Sequence, residues 1–276
     1  MRAFVIGQPI EHSLSPVLHR AAYEALELPW RFDRREVAPD DLPAFLDSIG
    51  EDVAGLAVTM PLKQVVMRHL DAIEPLAAAV GAVNTVVPAA RVLSGFNTDV
   101  YGIVQAISRT KQIEKGARAV ILGARATASS ALAALGELGA SQVQTVARSF
   151  SGPGSISLAE TRLGVSTQHI PWRDSERAQA ALSRADIVVS TLPAGVGDYW
   201  AGQFRPKPGS VLLDVAYNPW PSKLAQAGEA GGAVVVSGYS MLLYQACQQV
   251  ELMTGRGAPV EEMRDALQEA TKLFNL

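Results

Sequence analysis

The stretch that decides the fold reads Ala119-Val120-Ile121-Leu122-Gly123-Ala124-Arg125-Ala126-Thr127-Ala128. Its first four residues are apolar at consecutive positions, which is typical of a strand buried on both faces. A glycine turn and a helix of small residues follow directly, and in dinucleotide-binding folds the backbone amides of this turn receive a pyrophosphate. Only the first glycine of the usual pattern is present, so the stretch alone fits cofactor binding and a plain strand–turn–helix equally well.

The rest of the second half repeats this alternation of strand and helix. Further strand-like runs lie at Gln142–Ala147, Ile187–Leu192, Val211–Ala216 and Ala233–Ser237. Because several of these runs are apolar throughout, they predict a doubly wound parallel sheet of the Rossmann-like type. Two long helices are predicted after Gly238, at Tyr239–Thr254 and Pro259–Phe274, with Pro259 at the first helical position. We expect these C-terminal helices to pack back on the first half of the chain.

The first half predicts a mixed or parallel open α/β sheet. The runs Ala82–Val87 and Val92–Phe96 predict a hairpin, because only a short segment joins them. Strands are also expected at Ala3–Gly7, Arg31–Val37 and Gly55–Thr59, and helices at Pro16–Leu26, Asp41–Ile49 and from Asp99 onward. The polar stretch Lys111–Gly116 marks the boundary between the halves. The predicted domains are 1–110, joined by the helices of 240–276, and 111–239.

Composition and charge exclude several classes of protein. The chain has 276 residues, 48% hydrophobic and 18% charged, which suits two globular cores and not a disordered chain. Its 24 Lys and Arg and 27 Asp and Glu form no basic cluster, so no nucleic-acid partner is expected. The single cysteine, Cys247, and four histidines predict neither an internal disulfide nor a metal site. No apolar run reaches the roughly 18 residues of a membrane span, so a cytoplasmic protein is predicted.

Arg148 directly follows the strand-like run Gln142–Ala147. In a Rossmann-type fold this position reads the adenosine ribose, where an acidic residue binds a free 2′-hydroxyl and an arginine accommodates a 2′-phosphate. Arg148 therefore favours NADP over NAD. The alternative is an arginine that is merely solvated at a strand end.

Several polar residues in the first half also follow or interrupt apolar runs. Ser13 and Ser15 stand after the first strand, where two hydroxyls can bind a polyhydroxylated ligand, although Ser15 before Pro16 also predicts a helix N-cap. Thr59 and Lys63 follow another strand, and a solvated lysine is the simpler interpretation of Lys63. Asn84 and Asp99 complete this set, and Asp99 alone would be interpreted as an N-cap of the helix after it.

Taken in order, these segments resemble the shikimate dehydrogenases, the enzymes of aromatic amino-acid (chorismate) biosynthesis that reduce 3-dehydroshikimate with NADPH. The resemblance runs from residue 7 to about residue 255, and its joint occurrence overrides the separate interpretations of Lys63 and Asp99. The matching segments are Gly7-Gln8-Pro9, His12-Ser13-Leu14-Ser15-Pro16 with His19, Val58-Thr59-Met60-Pro61-Leu62-Lys63, Gly81-Ala82-Val83-Asn84-Thr85, Asn97-Thr98-Asp99 with Gly102, Asp214-Val215-Ala216-Tyr217-Asn218-Pro219, and Gly238-Tyr239-Ser240-Met241-Leu242 with Gln245-Ala246.

The resemblance implies an N-terminal substrate domain, a Rossmann-like NADP-binding domain, and Lys63 and Asp99 as the catalytic pair. It implies that the substrate is bound by Ser13, Ser15, Thr59, Lys63, Asn84, Asp99, Tyr217 and Gln245. It implies that NADP is bound by Gly123, Ala124, Arg125, Ala126, Arg148, Ser149, Thr191, Leu192, Ala216, Gly238 and Met241. The implied partner is a small molecule, with the protein a monomer or homodimer.

The chain departs from the family pattern at its cofactor turn. Arg125 and Ala126 replace two glycines, and a residue with a Cβ loses access to positive φ and brings a side chain near the pyrophosphate. The guanidinium of Arg125 could instead pair with a phosphate. A second basic residue that often follows Arg148 is also missing. Two alternatives therefore stay open: a quinate/shikimate dehydrogenase using NAD, and a non-catalytic ligand-binding paralogue with an impaired cofactor turn.

Overall fold

The computed structural model describes residues 1–152 and 154–273, and the chain divides into two compact units. The first unit is Met1–Gly102 together with the chain from Leu242 onward, and the second is Ile103–Met241. The chain therefore leaves the first unit and returns to it. The assignment of substrate binding to the first unit and of cofactor binding to the second stays a prediction.

The described residues form these regular elements. The strands are β1 (Arg2–Gly7), β2 (Arg31–Glu36), β3 (Val53–Val58), β4 (Ala72–Ile73), β5 (Thr85–Ala89), β6 (Val92–Phe96), β7 (Arg118–Leu122), β8 (Gln142–Ala147), β9 (Gln168–Pro171), β10 (Ile187–Ser190), β11 (Val211–Asp214) and β12 (Val234–Ser237). The helices are α1 (Ser15–Ala25), α2 (Leu42–Asp47), α3 (Leu62–Val65), α4 (Pro75–Val80), α5 (Asp99–Thr110), α6 (Ala126–Glu137), α7 (Ile156–Leu163), α8 (Ser175–Arg184), α9 (Asp198–Ala201), α10 (Lys223–Ala230), α11 (Gly238–Thr254) and α12 (Val260–Thr271). Short 3₁₀ helices lie at Pro39–Asp41 and Val66–His69.

The sheet of the first unit has the order β2-β1-β3-β5-β6-β4. Strands β1, β2 and β3 are parallel, whereas β5 is antiparallel to both β3 and β6. The predicted hairpin and mixed sheet are confirmed. Because β1 and β3 are adjacent and parallel, the loops that follow them begin at the same edge of the sheet.

Strand β3 is buried along its whole length, because apolar groups cover both of its faces. On one face Leu56 and Val58 belong to a core cluster with Leu42 and Leu62. On the other, Gly55 is so close to Met253 of α11 that a Cβ at residue 55 would lie 2.5 Å from the Met253 Cγ. The C-terminal helices thus pack within the first unit, as predicted, and α12 packs against α1.

The sheet of the second unit is parallel throughout and has the order β12-β11-β10-β7-β8-β9. From β9 to β12 this is the 3-2-1-4-5-6 order of a doubly wound fold, and the strand order reverses between β7 and β10. The predicted Rossmann-like sheet is confirmed. Its edge strand β9 was not predicted, because Gln168-His169-Ile170-Pro171 is short and has no consecutive apolar run.

Two predicted helix starts are wrong. Ser15 is the first helical residue of α1 and not its N-cap, which is Leu14. Pro259 is the N-cap of α12, whose first helical residue is Val260. The predicted end of that helix, Phe274, lies outside the described residues.

Across residues 1–152 and 154–273, no helix combines the length and apolar character needed to span a membrane.

Two glycines in the second unit allow a test of its packing. At Gly238 a Cβ would overlap the carbonyl oxygen of Val215, so we expect Gly238→Ala to lower the free energy of unfolding by about 1–3 kcal/mol. Gly136, exposed in α6, has no atom within 4 Å of a Cβ, so Gly136→Ala should raise that free energy by about 0.5–1 kcal/mol. Urea unfolding measures the free energy of unfolding of both variants and of the wild type. Changes of the same sign in the two variants would contradict this prediction.

Candidate active site

The first unit holds an ion pair between Lys63 of α3 and Asp99 of α5. The Nζ of Lys63 is 2.5 Å from the Oδ2 of Asp99. The lysine side chain is 17% exposed and the aspartate side chain 4% exposed, so the carboxylate is buried and the ammonium is accessible from one side. The structure thus brings together two residues that are 36 positions apart in sequence.

Asp99 is available for this pair because another residue caps its helix. The Asn97 Oδ1 accepts hydrogen bonds from the backbone N–H of Asp99 at 3.0 Å and of Val100 at 3.3 Å. An N-cap carboxylate at residue 99 would instead accept from the backbone N–H of Tyr101 or Gly102. The local interpretation of Asp99 as the cap is therefore wrong, and both of its carboxylate oxygens are left for side-chain partners.

Asn84 holds the other oxygen of this carboxylate. Its Nδ2 donates to Asp99 Oδ1 at 2.8 Å and to Thr98 Oγ1 at 2.9 Å. Its Oδ1 accepts from the Thr98 N–H at 2.8 Å and from the Thr85 hydroxyl at 2.9 Å. A backbone N–H can only donate, so these contacts determine which way the amide faces. The buried amide therefore fixes the position of the carboxylate.

Gln245 reaches the same cluster from α11. Its Oε1 lies 3.4 Å from Asn84 Nδ2 and 3.5 Å from Thr98 Oγ1, and its Nε2 donates to the Leu242 carbonyl at 2.9 Å. Residues from just before β5, from the start of α5 and from α11 thus meet at one point of the first unit.

The predicted hydroxyl groups lie at the edge of the sheet where β1 and β3 end, in the loops and at the start of α1. The Ser13 Oγ is 3.3 Å from the Ser15 Oγ, and Arg34 donates to the Ser13 carbonyl and so holds this loop. Thr59 immediately follows β3, and a Cβ at Gly7 would lie 2.5 Å from its Cγ2. The glycine therefore lets the two loops pass close together, and Gln8 N–H donates to the Met60 carbonyl at 3.0 Å.

The ammonium of Lys63 can act on a ligand oxygen. Across residues 1–152 and 154–273, Asp99 is its hydrogen-bond acceptor, and two of its three N–H bonds have none. An ammonium held in this way can donate a proton to an oxygen that gains negative charge, and its own charge stabilises that oxygen. The arrangement suits the reduction of a carbonyl group.

Tyr217 belongs to the second unit, unlike the other seven predicted substrate-binding residues. Its ring lies 5.0 Å from that of Tyr239, and burial, followed by the interaction with Tyr239, raises the pKa of its hydroxyl. The loop after β11 that carries it is held by Asp214, whose Oδ2 accepts from the Ser222 hydroxyl at 2.6 Å.

The turn after β7 in the second unit can receive a diphosphate. Gly123 has φ +114°, and a Cβ there would overlap the Thr191 hydroxyl of the loop after β10. This is the point where strand order reverses, at which doubly wound sheets bind their ligands. No side chain caps α6 among the described residues, so the N–H groups of its first turn are left for an anion.

The expected backbone strain at the two replaced glycines is absent. Arg125 has φ −109° and ψ −166°, an extended conformation that any residue adopts, and Ala126 is the first helical residue of α6. The expectation that a Cβ at these positions conflicts with a positive φ is therefore wrong. Only Gly123 in this turn needs the left-handed region.

The other residues implied for the cofactor follow the strands of the same sheet. Arg148 and Ser149 are exposed after β8, and Ala216 N–H donates to Asp214 Oδ1 at 3.3 Å after β11. All of them lie at or beyond the carboxyl ends of parallel strands: Gly123, Ala124, Arg125, Ala126, Arg148, Ser149, Thr191, Leu192, Ala216, Gly238 and Met241.

Sequence reasoning missed a buried polar relay behind Asn84. Gln249 Nε2 donates to the Asn84 carbonyl at 3.1 Å and to Thr85 Oγ1 at 3.0 Å, and its Oε1 lies 3.1 Å from His19 Nε2. The amide oxygen only accepts, so His19 carries its proton on Nε2. Gln249 stands four residues after Gln245 in α11, and this helical spacing is the signal that could have found it.

Complete burial governs the ionisation of His19. Burial lowers its pKa from 6.5 to about 4, and the hydrogen bond to Gln249 offsets this only in part. The ring also stacks on Phe32, with centroids 4.0 Å apart. The first unit therefore contains a neutral histidine that resists protonation.

Comparison with known proteins agrees with this geometry. A family model described as the shikimate dehydrogenase substrate binding domain matches residues 5–86, and one described as the shikimate 5′-dehydrogenase C-terminal domain matches residues 238–268. The shikimate dehydrogenase (NADP(+)) of Methanothermobacter thermautotrophicus is 33% identical over 269 residues, which cover 95% of this chain and 94% of that protein. The chain belongs to the shikimate dehydrogenase family. The resemblance found in the sequence is confirmed.

Two solved structures of shikimate dehydrogenases have the same fold. That of Mycobacterium tuberculosis is 38% identical, with a TM-score of 0.86 over 98% of this chain and 99% of that chain. That of Thermus thermophilus, solved in complex with NADP(H) and shikimate, is 29% identical, with a TM-score of 0.84 over the same shares.

The burial of His19 predicts how the stability of the protein depends on pH. As pH falls below about 6.5, the unfolded chain takes up a proton at residue 19 before the folded chain does, so the free energy of unfolding decreases towards pH 4. At pH 5 the loss from His19 is about 2 kcal/mol relative to pH 7.5. His19→Gln should lose less stability over this interval than the wild type, as measured by urea unfolding.

A matched control is His69→Gln, which replaces an exposed histidine and should keep the wild-type pH dependence. Equal losses for the wild type and His19→Gln between pH 7.5 and pH 5 would contradict the role given to burial.

Proposed function

We propose that this chain is an NADP-dependent shikimate dehydrogenase, which catalyses the reversible reduction of 3-dehydroshikimate to shikimate in chorismate biosynthesis. The observation that carries the proposal is the 2.5 Å pair of Lys63 and Asp99, held on its buried side by Asn84. Membership of the family supports it, and so do relatives named for this activity.

Lys63 is the proposed proton donor. When a hydride adds to the carbonyl carbon of the substrate, the electron pair of the C=O bond moves to oxygen, and the ammonium of Lys63 gives that oxygen a proton. The amine then regains a proton from solvent. In the reverse direction the neutral amine accepts the hydroxyl proton. NADPH supplies the hydride when bound.

Asp99 is the proposed partner that orients Lys63 and accepts a hydrogen bond from a ring hydroxyl. Its Oδ1 and Oδ2 are already placed by Asn84 and Lys63, so the carboxylate does not have to reorganise when the substrate binds. The remaining contacts to substrate hydroxyl and carboxylate groups are assigned to Ser13, Ser15, Thr59, Asn84, Tyr217 and Gln245.

The second unit is the proposed cofactor domain. The turn from Gly123 to Ala126 and the first turn of α6 would hold the diphosphate, which matches the uncapped helix and the positive φ of Gly123. Arg148 and Ser149 would bind the adenosine ribose with its 2′-phosphate, which favours NADP over NAD. The remaining contacts are assigned to Thr191, Leu192, Ala216, Gly238 and Met241.

The non-catalytic alternative loses its main support. It depended on Arg125 spoiling the cofactor turn, and the extended backbone at this residue removes the backbone strain from that argument. Cys247, the single cysteine of the chain, is buried, which fits the proposed cytoplasmic location. The small-molecule substrate and a monomeric or homodimeric state complete the proposal.

Replacing Lys63 tests the proton step. We expect Lys63→Ala to lower kcat for shikimate oxidation with NADP⁺ by about 10²–10⁴-fold, because the positioned acid and its charge are both lost. Lys115→Ala, which removes an exposed lysine of the second unit, is the matched control and should keep the wild-type kcat. A Lys63→Ala enzyme with wild-type kcat would refute the assignment, provided that thermal unfolding shows both variants folded.

Substrate and cofactor choice can be measured together. Steady-state rates with shikimate and quinate, each with NADP⁺ and NAD⁺, should give the highest kcat/KM for shikimate with NADP⁺. A preference for NAD⁺ would contradict the interpretation of Arg148, and a preference for quinate would favour the quinate alternative.

A further inference from the structure

Arg125 points its side chain away from the turn that it belongs to. It is the N-cap of α6, but its Nη1 lies 3.4 Å from the carbonyl oxygen of Ser151 and 3.6 Å from the position of a Cβ at Gly152. Both residues belong to the loop after β8, which begins with Arg148 and Ser149. The guanidinium therefore lies against the loop that reads the ribose in this type of fold.

The loop after β8 is itself held in place. The ring of Phe150 stacks on that of His169 with centroids 4.2 Å apart and an angle of 4° between the planes. The His169 Nε2 in turn lies 2.9 Å from Glu160 Oε1. The segment that presents Arg148 thus has a defined position next to the Arg125 side chain.

Neither arginine is neutralised by the protein. Among residues 1–152 and 154–273, neither Arg125 nor Arg148 forms an ion pair with a carboxylate, and both are exposed. Two cations at the ends of the adjacent strands β7 and β8 repel each other, and an anion between them would relieve that repulsion. Their placement favours a ligand with more than one negative charge.

The charge of the ligand group also calls for two cations. A phosphate monoester carries about −1.5 to −2 at pH 7, and one arginine neutralises only part of it. The loop Ser149-Phe150-Ser151-Gly152 contains no charged residue after Arg148. Arg125, entering from the neighbouring turn, supplies the second charge.

We propose that Arg125 and Arg148 together bind the 2′-phosphate of NADP, so that the residue which breaks the glycine pattern determines cofactor specificity. This inference rests on the proposed function. The diphosphate would be bound by backbone N–H groups at the start of α6 and not by the Arg125 side chain. Two guanidinium groups then share one phosphate through charge-assisted hydrogen bonds.

Equilibrium binding separates this role from the alternatives. NADPH and NADH are titrated by fluorescence against the wild type, Arg125→Gly, Arg148→Ala and the double variant. Arg125→Gly should raise the Kd for NADPH about tenfold and leave that for NADH unchanged. Glycine is also accepted at an N-cap, so α6 should keep its stability.

The double variant tests whether the two arginines share one group. If both bind the 2′-phosphate, the losses of NADPH affinity should not add, because the two positions are coupled through one ligand group. Additive losses would place the arginines on separate groups and overturn the proposal.

A second pair of ligands removes the diphosphate from the test. Adenosine 2′,5′-bisphosphate contains the 2′-phosphate without a diphosphate, and adenosine 5′-monophosphate contains neither. In calorimetric titrations, Arg125→Gly should weaken binding of the first about tenfold and leave binding of the second unchanged. If Arg125→Gly bound NADPH and NADH more tightly than the wild type does, Arg125 would obstruct the diphosphate. If the variant bound NADPH and NADH equally more weakly, Arg125 would contact the diphosphate.

Two further arginines serve as controls. Arg184 lies at the end of α8, near the amino end of β10 and so away from the carboxyl ends of the strands. Arg184→Ala should therefore bind NADPH like the wild type. Arg173 follows the edge strand β9. If Arg173→Ala lost as much NADPH affinity as Arg125→Gly, the effect would be one of general positive charge and the assignment would be wrong.

The outcome for this inference is distinguishable from that for the proposed function. A wild-type chain that binds no NADPH would refute the proposed dehydrogenase function itself. A wild-type chain that binds NADPH, with Arg125→Gly unchanged, would overturn only the role of Arg125.

Discussion

The first unit is organised around a carboxylate that is almost completely removed from water. Burying a charged group is costly unless a cation and hydrogen-bond donors compensate for it. Asp99 receives an ammonium from Lys63 and an amide N–H from Asn84. Because Asn97 caps the helix, the Asp99 carboxylate makes no capping bond, and it accepts hydrogen bonds from both of these side chains.

This compensation depends on residues that are far apart in sequence. Asn84 stands just before β5, Asp99 begins α5, and Gln249 supports Asn84 from α11 near the end of the chain. The first unit therefore needs the chain to return after the second unit is complete. A buried polar network of this kind specifies one arrangement, because any displaced member leaves an unpaired polar group in the core.

The second unit places its ligand-binding groups by backbone geometry. A single glycine at residue 123 has the left-handed conformation that the turn requires, so the next two positions are free to carry side chains. This freedom explains how Arg125 can stand where the family usually has glycine. The side chain leaves the turn and reaches the Ser151 carbonyl in the loop after β8.

Local sequence rules failed where tertiary contacts compete with them. Ser15 precedes a proline and has the residue type of a cap, yet it is a buried helical residue whose N–H bonds to Ser13 Oγ. Strand β9 was missed because its pairing with β8 does not require an apolar run at a sheet edge. Gln249 was missed because a glutamine in a helix is usually solvated, and only the fold shows it buried.

The sequence by itself determined the α/β class, the Rossmann-like half, the hairpin in the first sheet and, through several motifs in order, the family. These follow from periodicity and short motifs, which act over a few residues. The tertiary structure alone decided that Asn97 and not Asp99 caps α5, that Asn84 holds the second carboxylate oxygen of Asp99, and that Arg125 reaches the next loop. Side-chain direction and burial depend on contacts between distant segments, and no local pattern contains them.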